Sequence, residues 1–249
     1  MHLKRNLLFV FLKMIGCHAE ATRRERQKRV DLWNTLPSLV LPSDMYMDEE
    51  ALYSVTSMDL ADEICRLLVF KLGIPRDATI TDAMACVGGN TWAFARYFKA
   101  VHAVEIDARR FTMLRQNMRR ILSVNDFDKI EFYRADFLQK MQELHQTIVF
   151  LDLPWGGPSY KDQTSISLNL DGMDLSVLCR RLERRATHLV LKVPTNFAYA
   201  QFRRNLGSYW SIVYQETMCM ARTFDNVCTW RPAFDLVVLG VVVPPTPPP

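Results

Sequence analysis

From residue 79 onward the chain alternates compact apolar runs with longer stretches in which apolar positions recur every three or four residues. The first pattern reads as buried strands and the second as amphipathic helices. Strands are predicted over 79–83, 101–106, 130–133, 148–151, 188–193, 210–215 and 234–243, with helices over 91–98, 108–122, 138–144, 175–185 and 197–206. Strand and helix in succession imply an α/β fold: a doubly wound, mainly parallel, seven-stranded sheet. No helical pattern separates the last two strands, which suits an antiparallel hairpin at the sheet edge.

Ahead of this body, 23–36 has the spacing of a helix with one apolar face (Val30, Leu32, Trp33, Leu36) and is stopped by Pro37 and Pro42. Residues 53–56 read as a short extended piece. Ser57 then stands where a helix over 58–72 needs an N-cap. The expected organisation is a basic and apolar extension over 1–22, a helical cover over 23–75, the α/β domain over 76–243 and a Pro-rich extended tail over 244–249. Lys13 cuts the apolar run Leu7–Leu12 short and an Arg cluster follows, so an amphipathic basic extension is expected rather than a signal peptide. No later apolar stretch is long enough to span a bilayer.

Charge changes the picture. The first 30 residues carry eight Lys or Arg against two Glu, so +6 of charge sits there and the rest of the +4 chain is at −2. A local positive excess favours polyanions such as nucleic acid. The six cysteines show no Cys-x-x-Cys pair and the five histidines no His-Glu-x-x-His spacing. Reduced thiols and no metal are expected, in the nucleus or cytoplasm, and the chain is expected to be a monomer.

The fourth strand ends in Asp152-Leu153-Pro154-Trp155-Gly156-Gly157-Pro158. Open α/β sheets keep their chemistry at strand carboxyl ends. Asp152 would accept a hydrogen bond from an amine, the prolines would stiffen the loop, and Trp155 would offer a flat face to a base.

The first strand runs into Asp82-Ala83-Met84-Ala85-Cys86-Val87-Gly88-Gly89-Asn90 and a helix. Glycines there let a ligand approach the backbone, and the helix start offers free N–H groups. The second strand ends at Glu105-Ile106-Asp107, where an acid can hold both ribose hydroxyls, and the third is followed by Asp136-Phe137. Three strand-end acids suit a nucleoside but disfavour a pyrophosphate, and no phosphate-loop motif is present. An uncharged linker bearing a cation fits, which points to S-adenosyl-L-methionine.

With these motifs in this order the sequence resembles class I methyltransferases that modify exocyclic amines. More narrowly, it is similar to the trimethylguanosine synthase family, which methylates N2 of the 7-methylguanosine RNA cap. The resemblance is carried by Tyr53-Ser54-Val55-Thr56, Asp82-Ala83, Val87-Gly88-Gly89-Asn90-Thr91, Glu105-Ile106-Asp107, Asp136-Phe137-Leu138 and Pro154-Trp155-Gly156-Gly157-Pro158. It implies that Asp82, Gly88, Gly89, Asn90, Glu105, Asp107, Asp136 and Phe137 hold the cofactor, with Tyr53 and Thr56 closing over it. It also implies that Trp155 stacks on the methylated guanine, that Asn117 and Asn196 contact the substrate, and that Asp152, Pro154 and Trp155 form the catalytic loop on a capped RNA.

The sequence departs from the family at four places. Asp152-Leu153 stands for Ser-Pro, Cys86 for the first turn glycine, Ser57 for a proline and Thr195 for an arginine. Two other readings stay open: an amino-group methyltransferase acting on guanine or adenine in other RNA or DNA, and a cap- or RNA-binding protein without turnover.

Overall fold

The structure is a computed structural model that describes residues 23–224 and 227–242; the predicted 1–22 extension and 244–249 tail lie outside these residues. A helix covers 23–32 (α1). It is followed by the turn α2 (Ala51–Ser54) and by α3 (Met58–Arg66), whose last turn loosens into a π-helix to Lys71. The alternating body is β1 (Thr79–Asp82), α4 (Gly89–Tyr97), β2 (Ala100–Val104), α5 (Ala108–Ile121), α6 (Val124–Phe127), β3 (Ile130–Tyr133), α7 (Phe137–Lys140) and β4 (Ile148–Leu151). It continues with a small hairpin of β5 (Asn169–Leu170) and β6 (Met173–Asp174), then α8 (Leu175–Arg181), β7 (His188–Val193), α9 (Tyr199–Asn205), β8 (Trp210–Phe224) and β9 (Val227–Val241).

Seven strands form one sheet in the order β3-β2-β1-β4-β7-β9-β8. The first five are parallel, and β9 and β8 are added antiparallel. Period-two alternation builds both layers. Ile148, Phe150, Val190, Leu236 and Val238 face a core shared with α3, α4 and α5, while Val149, Leu151, Leu189, Leu191 and Val237 face one shared with α7, α8 and α9. Helices on both faces make the sheet doubly wound, as the alternation predicts.

Three local expectations need correction. Residues 53–54 are helical rather than extended, because Asp48 Oδ1 accepts from Ala51 N at 2.8 Å and starts a turn. Ser57 stands at the N-cap of α3, but its hydroxyl makes no capping bond. The last two strands run well past 210–215 and 234–243. Beyond Asp235, the last residue of β9 paired to β7, they continue as a two-stranded arm to Phe224↔Val227. Pro232 is tolerated there because it lies beside the Met218/Cys219 register shift, where a ladder donor is not needed.

Candidate active site

The carboxyl ends of β1, β2 and β4 bring the predicted residues together. Asp82, the last residue of β1, is buried, and its Oδ2 accepts from Thr91 Oγ1 at 2.6 Å. Its Oδ1 is buried without a partner among the described residues. Burial pushes this carboxyl up to about 7, against the Thr91 hydrogen bond.

The turn that follows is tightly fitted. Cys86 adopts φ 49°, the left-handed conformation a glycine would take, and donates its N–H to Glu105 Oε2 at 2.9 Å. The side chain therefore does not force a different turn. Burial, followed by the nearby Glu105 charge, pushes the Cys86 thiol up to about 12. Gly88 has φ 103°, and a Cβ on Gly89 would lie 2.3 Å from Thr56 O, so residues 55–56 press directly on the turn.

Glu105 takes the N–H of Asp107 on Oε1 at 2.8 Å, and Arg110 Nε lies 3.6 Å from the same oxygen. Burial raises this carboxyl and the two backbone donors and Arg110 oppose it. Asp107 and Asp136 are helix caps: Asp107 accepts from Arg110 N and Asp136 from Leu138 N, both at 2.8 Å. Between Glu105 and Asp107, Ile106 is 67% exposed, an apolar surface at the mouth that sequence reasoning did not single out. An apolar residue framed by two acids at a strand end was the available signal.

Two expected contact residues are placed differently. Phe137 packs inside the second core beside Met141 and Val149, so its ring is not an open platform. Asn117 is fully buried. Its Oδ1 accepts from Tyr46 N at 2.8 Å, and its Nδ2 donates to Tyr46 O at 2.9 Å and Val87 O at 3.0 Å. It fastens the cover segment to the glycine turn and has no face left for a base.

Other ties fix the same segment. Arg110 pairs with Glu50 and, at 3.7 Å, with Asp48. Asn90 Nδ2 donates to Thr56 Oγ1 at 3.1 Å. Tyr53 is exposed at this border, with Lys28 Nζ 3.5 Å from its ring centroid.

On the β4 side Leu153 is buried, which explains an apolar residue at that place in the loop, and Pro154 is exposed. Asp152 Oδ2 accepts from Lys192 Nζ at 2.6 Å. Burial raises the Asp152 carboxyl and Lys192 pulls it back. Trp155 meets Tyr160 edge-on at 5.0 Å, and its Nε1 is buried without a partner among the described residues. Asn196 Nδ2 clamps the loop by donating to Tyr160 O at 2.9 Å and Gln163 O at 2.7 Å, which leaves its Oδ1 unpaired.

Five of the six buried unpaired side-chain atoms among the described residues belong to this surface: Ser57 Oγ, Asp82 Oδ1, Asn90 Oδ1, Trp155 Nε1 and Asn196 Oδ1. Native folds seldom leave such atoms without a partner, which in a folded protein is supplied by water, an ion or a ligand.

The sequence matches the RNA cap guanine-N2 methyltransferase family over residues 77–227, more than half of the chain and all of the site just described except the cover segment that carries residues 53–57. The chain belongs to that family. Within it, trimethylguanosine synthase of Schizosaccharomyces pombe is 30% identical over 172 residues, covering 66% of this chain and 70% of the yeast protein. Uncharacterized protein L320 of Acanthamoeba polyphaga mimivirus is 27% identical over 220 residues, 76% of this chain and 84% of that protein. Among solved structures, PH1948 of Pyrococcus horikoshii superposes with a TM-score of 0.56 at 14% identity, over 89% of this chain and all of that one. That likeness is one of fold: the Rossmann-like class I methyltransferase sheet. In this family member no group of three His, Cys, Asp or Glu converges as a metal site, and no helix is long and apolar enough to cross a membrane, both among the described residues.

Proposed function

We propose that this protein transfers a methyl group from S-adenosylmethionine to the exocyclic N2 amine of the 7-methylguanosine cap of RNA, giving a di- or trimethylguanosine cap. The observation that carries the reading is the pair of carboxylates Asp82 and Asp152 at the carboxyl ends of the adjacent parallel strands β1 and β4, with Trp155 beyond them. One acid suits a cation and the other an amine, side by side.

S-adenosylmethionine supplies a methyl carbon made electrophilic by its sulfonium. On the protein side, Asp82 Oδ1 receives the cofactor's ammonium group, which satisfies an atom that otherwise stays buried and unpaired. The remaining lone pairs of Glu105 receive the ribose hydroxyls, Asp136 receives the adenine amine, and Ile106 packs on the adenine face. Asp107 acts through its cap of α5. Gly88, Gly89 and Asn90 let the ligand lie against the start of α4, while Tyr53 and Thr56 cover it.

Trp155 stacks on the guanine, which is worth about 1–3 kcal/mol, and the N7 methyl makes the base cationic and adds about 0.5–2 kcal/mol. Asp152 and the carbonyl of Leu153 or Pro154 accept the N2 hydrogens, turning the lone pair toward the methyl carbon. Asn196 holds the loop and offers its free Oδ1. Nucleus and cytoplasm are the compartments this substrate implies.

One observation favours a second reading, an amine on a neutral base in other RNA: Lys192 Nζ stands 5.5 Å from the Trp155 ring centroid and competes with a cationic base for it. The test is transfer of labelled methyl from S-adenosylmethionine to capped and uncapped forms of one short RNA. Label confined to the capped form supports the first reading, and equal labelling supports the second.

A further inference from the structure

Lys192 is a charged residue near the end of β7, and its neighbours Leu191 and Val193 are fully buried. An ammonium is kept in such a place only with a partner. Its partner is Asp152, at the end of the adjacent strand β4: Nζ to Oδ2 is 2.6 Å, with side-chain exposures of 8% and 15%. The Trp155 ring and the Phe234 ring, the latter 5.2 Å from Nζ, close around the ammonium.

We propose that Lys192 is a positioning residue for methyl transfer, holding Asp152 as a carboxylate and turning Oδ1 toward the acceptor amine, so that Asp152 takes the amine's proton. This rests on the amine-methylation reading but not on the base being 7-methylguanine.

The charges around Asp152 support it. From β1 it meets Asp82, whose own carboxyl is raised in part by Asp152 and, further off, by Glu105. From β7 it meets Lys192. On β9, Asp235 is already bonded to the Tyr199 hydroxyl at 2.8 Å and to Thr217 Oγ1 at 2.7 Å, and it does not compete for the ammonium. Without Lys192, nothing would offset the burial that disfavours the ionised form of Asp152, and Asp82 would keep the nearby acid without its counter-cation. With it, Oδ2 is fixed and Oδ1 is the remaining acceptor.

The step balances as follows in atoms and charge. The amine nitrogen uses its lone pair to bond the methyl carbon, and the electron pair of the breaking carbon–sulfur bond stays on sulfur. The nitrogen sheds one proton to Asp152 Oδ1, which passes it to water when the product leaves. Lys192 takes no part in the proton's path.

The test is a pH titration of the full chain labelled with ¹³C at aspartate Cγ, with the Asp152 signal assigned through Asp152→Asn, followed by pH profiles of kcat. In Lys192→Met the Asp152 midpoint is expected to rise by about 1–3 pH units, and the acid limb of kcat to move with it. Lys192→Arg is expected to restore both. An unmoved midpoint with turnover lowered by a pH-independent factor overturns the proposal. Should Lys192→Met not fold, the double variant Asp152→Ser with Lys192→Met leaves no orphan charge and is expected to lack the acid limb; a wild-type limb in it overturns the proposal. If the wild-type protein methylates no cap, the substrate reading fails, while the Asp152 midpoint still decides the part played by Lys192.

Discussion

Asn117 in α5 bonds both backbone polar groups of Tyr46, taking its N–H at 2.8 Å and giving to its carbonyl at 2.9 Å, as a strand partner would. The same amide reaches Val87 O in the glycine turn at 3.0 Å. One side chain thus couples the cover segment, which carries Tyr53 and Thr56, to the turn against which Thr56 presses. Asn117→Leu strands three buried backbone groups and is expected to cost about 2–4 kcal/mol in urea unfolding. Cofactor affinity should fall with it. Undiminished stability would show that the core packing of Met45 and Met47 and the contacts of Arg110, Arg120 and Asn90 suffice to hold the segment.

Cys86 accepts the left-handed conformation at a cost of about 1–2 kcal/mol for a non-glycine residue. Cys86→Gly removes that cost but adds about 0.5–1 kcal/mol of chain entropy, so stability should rise by no more than about 1.5 kcal/mol and cofactor binding should persist. Cys86→Val, β-branched at positive φ, should lose more than about 1 kcal/mol. The thiol itself, half-buried and pushed up to about 12, should resist alkylation at neutral pH. Fast modification of Cys86 would contradict the packing described.

Asp82 gives the site a pH dependence whose sign is fixed by burial. Its folded value of about 7 exceeds the ordinary 3.8, so the fold favours the neutral acid. Below 3.8 both folded and unfolded chains are protonated and nothing is lost; the cost grows as pH rises through that value and levels off above about 7. Asp82→Asn should therefore raise the Tm of the cofactor-free protein at about pH 8 and leave it nearly unchanged at about pH 4. Binding a cationic cofactor needs the ionised acid, so wild-type affinity should weaken as pH falls through about 7, by about tenfold per unit, with a proton released on binding. Calorimetry in buffers of different ionisation enthalpy measures both. A pH-independent affinity would remove Asp82 from the cofactor's ammonium.

Much of this was legible in the sequence because the strands are buried on both faces and end in sharp turns. Residues 130–133, 148–151 and 188–193 emerge with the predicted bounds. The strand-end acids followed from those bounds. What escaped depended on contacts made across the fold. Asn117 reads as an ordinary helix residue until Tyr46 is seen beside it, 71 positions away. Phe137 follows an acid, yet the core behind α7 claims its ring. The β8–β9 arm is paired only to itself past Asp235; Met218 and Phe234, next to the sheet, are buried, but 229–232 are exposed and carry no apolar alternation to mark a strand. The β5–β6 hairpin was within reach: Asp171-Gly172, both at positive φ, is a turn signal that was passed over. Lys192 does not stand out in the sequence; only the register of β4 against β7 places it on Asp152.

The central claim is tested most directly by mass spectrometry of a 7-methylguanosine cap dinucleotide incubated with the protein and S-adenosylmethionine, beside the same dinucleotide lacking the N7 methyl. The account predicts a gain of one or two methyl masses on the N7-methylated cap alone, lost in Trp155→Ala, while cofactor binding by that variant persists. No gain on either dinucleotide, or equal gain on both, would contradict it.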